Sequence, residues 1–130
     1  MSLFKWFYKL LEEEQPMKLS THNSEGVFIL KIEDLIIGTL SLKDGLWIFR
    51  YSDAFREQDR YRRLIGFSDM EKVYKSDTLW PFFKLRIPGL KQPLIKEILE
   101  SEDIDVTDEV GLLKRFGKLN VSNPYVLEPA

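Results

Sequence analysis

The stretch GVFILKIEDLIIGTLSLKDGLWIFRY, residues 26–51, decides the fold class. It holds three β-rich runs, near 27–32, 35–42 and 46–51, in which apolar side chains tend to alternate with polar ones. Only Glu33-Asp34 and Lys43-Asp44-Gly45 separate them, and spacers that short join antiparallel neighbours rather than crossovers. Asp44-Gly45 is the strongest hairpin signal in the chain, because glycine tolerates the positive φ that a two-residue turn between twisted strands requires. The stretch predicts an antiparallel meander with one face buried. Asn23 to Gly26 suits a preceding turn, which leaves 17–21 as a candidate for one more strand.

Beyond residue 51 the pattern weakens. SDAFREQDRYRRLIGFSDMEKVYKSD, residues 52–77, fits neither a helical nor a strand period and reads mostly as loop. Leu64-Ile65 is a candidate strand start, and Ser68-Asp69-Met70-Glu71 resembles a capping box that opens a short helix. Farther on, Pro93 suits a first helical position, and Leu94, Ile95, Ile98 and Leu99 give an apolar face ending near Ser101. A second helix is expected after a Thr107 cap, with Asp108 and Glu109 at its positive end, Lys114 and Arg115 at the other, and Gly117 as a left-handed stop. Tyr125 to Leu127 is expected to be extended. The fold class is therefore α+β: a small antiparallel meander packed with short helices and closed by a C-terminal helical pair.

At the other end, Leu3, Phe4, Phe7, Leu10 and Leu11 repeat at helical spacing until Pro16. The expected organisation is an amphipathic helix over 1–16, docked on its own domain or facing a partner or membrane, followed by one domain over 17–130. Lys5 and Lys9 interrupt the apolar run and Glu12 to Glu14 follow it, so it does not read as a signal peptide. No run approaches the roughly 20 apolar residues of a membrane span.

Composition limits the functions available. A chain of 130 residues with 44% apolar content supports a single core and leaves little room for a separate catalytic domain. Nineteen basic against 21 acidic residues give no global field for nucleic acid or anionic lipid. The absence of cysteine removes disulfides, thiolate nucleophiles and cysteine metal sites, and fits a reducing cytoplasm. The single histidine, His22, stands in a polar turn with no second histidine near it. No phosphate-binding glycine loop, dinucleotide fingerprint, zinc-protease motif or kinase HRD or DFG signature is present. Asp103 and Asp105 are the acidic pair that a two-carboxylate hydrolase would use, but they sit between helices, where acids are common. No catalytic residue, cofactor or metal site is expected.

Two stretches remain as binding candidates. Arg50, Arg56, Arg60, Arg62 and Arg63, interleaved with Tyr51 and Tyr61, are the one cationic and aromatic cluster suited to single-stranded nucleic acid, although Asp53, Glu57 and Asp59 lie among them. TLWPFFKLRIPG, residues 78–89, concentrates Trp80, Phe82, Phe83, Arg86 and Pro88. Aromatic and arginine side chains dominate interface hot spots, and proline fixes their presentation. In an extended segment Phe82 and Phe83 would point to opposite sides, so one of them is expected to face a neighbour.

From about residue 27 onward the order of elements resembles the small N-terminal domain of the HipA family, bacterial serine/threonine kinases that act as toxins in toxin–antitoxin systems. GTLSLKDGLWIFRYSDAF is similar to the family's glycine-led strand and the strand after it, and RRLIGFSD to its next apolar strand. PFFKLRIPG is similar to its Pro-Phe-Phe segment, and DEVGLLKRFGKLN to the helix that closes the domain. Lys84, Arg86 and Gly89 stand near the places where the family carries an asparagine and a glutamate around the proline. The chain stops where the family's kinase domain would begin. The resemblance therefore implies a free-standing accessory domain: a non-catalytic, antitoxin-like cytoplasmic subunit that binds a separately encoded HipA-like kinase domain, with room for a DNA-binding third subunit. It also implies that the 78–89 segment lies toward that partner. A nucleic-acid module built on Arg56, Arg60, Arg62 and Arg63 is the alternative.

Overall fold

A computed structural model describes residues 25–130. The expected helix over 1–16, the candidate strand at 17–21 and His22 lie outside the described residues. The meander is present with the expected boundaries: β1 Gly26–Ile32, β2 Leu35–Lys43 and β3 Leu46–Tyr51. Asp44 at φ 52° and Gly45 at φ 76° are both left-handed, as the two-residue turn between β2 and β3 demands.

Two further strands widen the sheet. β4, Tyr74–Ser76, pairs with β3, and β5, Val126–Pro129, pairs with β1. All pairings are antiparallel and the strand order is β4-β3-β2-β1-β5. The tail expected to be extended thus becomes an edge strand beside β1.

Alternation selects the buried face. Phe28, Leu30 and Ile32 of β1, Ile37, Leu40 and Leu42 of β2, Trp47, Phe49 and Tyr51 of β3, and Leu127 of β5 all enter the core. The three-residue step from Ile37 to Leu40 breaks the period of two, and the register shift at Leu30/Lys31 accounts for it. Gly38 lies at this irregularity; a Cβ there would stand 2.4 Å from the Arg50 carbonyl oxygen and 2.9 Å from the Phe49 ring. Only glycine admits that approach.

Four short helices complete the described residues: α1 Asp53–Arg56, α2 Pro81–Lys84, α3 Pro93–Ser101 and α4 Glu109–Phe116. Phe55, Phe83, Val110 and Leu113 join the sheet's buried residues in one core. Phe49 is central to it, with ring centroids 5.2 Å from Tyr51, 4.8 Å from Phe67 and 5.6 Å from Phe83. Offset and edge contacts of this kind add about 0.5–1.5 kcal/mol each beyond burial.

Four local expectations are corrected. No strand starts at Leu64-Ile65, because the side chain of Tyr51 takes over the backbone bonding there: its hydroxyl donates to the Phe67 carbonyl at 2.6 Å and accepts from the Leu64 N–H at 2.9 Å. No helix opens at Ser68, since the Asp69 carboxylate accepts from the Glu71 N–H and closes a local turn instead. The cap of α4 is Asp108, which accepts from the Gly111 N–H, while Thr107 bonds to Asp105. Gly117 ends α4 at φ −85° and so is not left-handed; a Cβ there would meet the Leu113 carbonyl oxygen at 2.7 Å.

Burial pushes the Tyr51 phenol above its ordinary value of 10.0. A raised folded pKa leaves stability unchanged below the unfolded value and removes it as pH climbs beyond. Denaturant midpoints should therefore hold level to about pH 10 and fall above it, and Tyr51→Phe should flatten that alkaline limb while lowering the plateau. Phe83→Ala should cost about 3–5 kcal/mol by equilibrium unfolding.

Candidate functional site

The segment 78–89 is not extended. Pro81 starts a single helical turn, with the Trp80 carbonyl accepting from the N–H groups of Phe83 and Lys84 at 3.0 and 2.9 Å. Residues in a helical turn diverge by about 100° rather than 180°, so both phenylalanines reach the domain's own rings. Phe83 is fully buried, and half-buried Phe82 packs on Tyr125 at 5.7 Å. Trp80, also half-buried, sets its ring edge to face against Phe67 at 5.3 Å.

Arg86 is the one charged side chain buried among the described residues, at 3% exposure. Its Nη1 donates to the carbonyls of Gly117 and Lys118 at 2.8 and 3.1 Å, and its Nη2 to Asn123 Oδ1 and the Tyr125 carbonyl at 3.1 and 2.7 Å. All four acceptors are neutral, and Nε has no hydrogen-bond partner. Burial lowers the guanidinium pKa from its usual value. This one side chain ties the loop after α4 and the approach to β5 back to α2.

Of the five residues expected at a partner surface, the structure thus places Phe83 and Arg86 inside the domain, while Trp80, Phe82 and Pro88 keep partial exposure. Arg86 and Pro88 also line a groove of about 490 Å³ with Leu85, Ile95, Phe116, Leu119 and Val121. Leu85 is 74% exposed, Leu119 66%, and Val121 is fully exposed. Sequence reasoning missed this groove. The available signal was charge: residues 78–96 and 110–123 carry Lys84, Arg86, Lys91 and Lys96, and Lys114, Arg115 and Lys118, with no aspartate or glutamate in either segment.

The arginine cluster is dispersed by its own contacts. Arg56 bonds to the Tyr51 carbonyl and pairs with Asp53, Arg60 lies 4.0 Å from Glu33 and over the Tyr61 ring, and Arg63 donates to the Ser68 carbonyl. Arg62 is exposed. Charges engaged this way present a weak field to a phosphate chain. Asp103 takes a left-handed φ of 55° just after α3, and Asp105 accepts from the Thr107 N–H and hydroxyl. Among the described residues no group of three or more His, Cys, Asp and Glu could hold a metal ion.

Residues 29–121 match the family model for the HipA N-terminal domain, a span that holds all but the first three residues of the meander, the Pro-Phe-Phe turn and the α4 helix. The chain belongs to the HipA N-terminal domain family. That domain is a non-catalytic part of HipA, and the family associates this chain with toxin–antitoxin systems. The fold is the α+β arrangement expected for it, a five-stranded antiparallel sheet with four short helices. No individually curated protein matches the chain. Among the described residues no helix is long and apolar enough to cross a membrane.

Because four acceptors converge on one guanidinium, Arg86→Met should destabilise the domain by about 3 kcal/mol or more in urea unfolding. Arg86→Lys should recover little of that, since an ammonium cannot serve two pairs of acceptors in one plane.

Proposed function

We propose that this HipA N-terminal domain is a non-catalytic, antitoxin-like subunit that binds a separately encoded HipA-like serine/threonine kinase domain in the cytoplasm and restrains it. The observation that carries this reading is the family match over residues 29–121 in a sequence that contains neither HRD nor DFG. The accessory domain's fold supports action on phosphorylation through contact rather than chemistry. Trp80, Phe82 and Pro88 are the contact residues drawn from the 78–89 segment; Phe83 and Arg86 serve from beneath by fixing that segment's shape. The dispersed arginines give no observation in favour of the nucleic-acid alternative.

The test is co-purification of the tagged chain with a HipA-like kinase domain expressed without an N-terminal domain of its own, followed by an autophosphorylation assay of the complex. The expected result is a stable complex with reduced phosphorylation. Trp80→Ala, checked for folding by circular dichroism, should weaken it by about 2 kcal/mol, roughly thirtyfold in Kd. Failure of the wild-type chain to retain the kinase at micromolar concentration would sink the proposal.

A further inference from the structure

The groove beside Arg86 has three properties that together specify an occupant. Its lining presents Leu85, Leu119 and Val121 to solvent beside the half-buried Ile95 and Phe116. Contiguous exposed apolar side chains mark contact surfaces more often than chance placement does. Its margins are cationic: Lys84 and Lys118 are exposed and adjoin lining residues in sequence, and the Arg115 guanidinium lies 5.2 Å from the centroid of the Phe116 ring. Two acids stand near this margin: Glu102 pairs with Arg115 at 2.7 Å, and Glu109, which shares an adjoining pocket with Lys84, accepts from Trp47 Nε1.

The third property is the charge state of the groove's inner wall. Arginine is seldom buried without an anion, because neutral carbonyls satisfy its donors but leave its net charge uncompensated. Arg86 is in that situation: its four acceptors are uncharged, no carboxylate among the described residues is paired with it, and Nε–H is left over. A negative charge placed in the groove would offset the cost of burying this guanidinium. Nucleic acid meets that need poorly, since its phosphates would have to lie on exposed leucine and valine rather than on donors.

We infer that the groove formed by Leu85, Pro88, Ile95, Phe116, Leu119 and Val121 is the docking site for an apolar peptide segment of the partner protein that carries one or more carboxylates toward Arg86 and the lysine margin. The inference rests on the kinase-binding reading above. Apolar side chains of the segment fill the groove and supply affinity, and its acids meet Lys84 and Lys118, setting orientation and association rate.

The experiment measures the Kd of the HipA-like kinase domain for the wild-type chain and for four variants, by calorimetry at low and high salt. Leu119→Glu and Leu119→Lys both delete the apolar contact at an exposed position, so neither endangers the fold, but they differ in the sign of the added charge. Lys118→Glu reverses one margin charge, and Ile65→Glu changes a side chain that is exposed outside the groove. The expected result is that Leu119→Glu and Lys118→Glu weaken binding at least about tenfold at low salt, that Leu119→Lys loses markedly less than Leu119→Glu, and that Ile65→Glu matches wild type. Wild-type binding should itself weaken as salt rises. Binding by the wild type with all groove variants unaffected overturns the groove while leaving the kinase-binding reading intact. Equal losses for the two Leu119 variants, or a larger loss for the lysine, overturn the acidic occupant. Absence of binding by the wild type overturns both readings together. Competition of the bound kinase by a single-stranded oligonucleotide at equal concentration overturns the assignment to a peptide.

Discussion

The Arg86 guanidinium is the constraint on which the C-terminal third of this domain depends. It reaches Gly117, Lys118, Asn123 and Tyr125 from a position just after α2, joining points 31 to 39 residues apart in sequence. Those bonds determine where the chain goes after α4, and thereby bring Val126–Pro129 alongside β1 as the last strand. A buried cation is an expensive way to join two segments. It is tolerated here because five donors in one rigid plane can hold several carbonyls at once, which no apolar side chain does. The same side chain forms part of the groove wall, so the fold's organising bond and the proposed binding surface share one residue.

The sheet supplies the other half of the framework. Its inner face is rich in aromatics, with Phe28 of β1 and Trp47, Phe49 and Tyr51 of β3 meeting Phe55, Phe67 and Phe83 from the segments that cover them. Aromatic rings bury large areas with few rotatable bonds, so a modest number of residues can order a long irregular stretch. Residues 57–73 illustrate this. They contain neither helix nor strand, yet Leu64 and Phe67 are buried and Tyr51 bonds to the backbone of both. One phenol does there what a ladder of backbone hydrogen bonds does elsewhere.

Membership of the HipA N-terminal domain family connects this architecture to toxin–antitoxin biology. The departure at Lys84, Arg86 and Gly89 gains meaning from the structure, because Arg86 makes contacts that a shorter neutral side chain would not span. Lys84 and Gly89 are exposed, and Lys84 adds to the cationic margin of the groove.

The sequence by itself determined the meander, its two tight turns, the helix Pro93–Ser101 and the body of the helix after it, together with the family. These are local properties: strand period, hairpin spacers and prolines at first helical positions act between near neighbours, so they can be read without knowing what lies across the core. Only the tertiary structure decided the fate of the segments whose partners are distant. Phe82 and Phe83 read as a strand-like pair until the helical turn at Pro81 directed both toward the core, and Leu64 read as a strand until Tyr51 captured its backbone. Arg86 read as an exposed hot-spot residue because nothing adjacent to it could neutralise or satisfy it; its acceptors arrive from more than 30 positions away. The groove was illegible for the same reason, since its apolar walls come from three separated segments that only packing brings to one place.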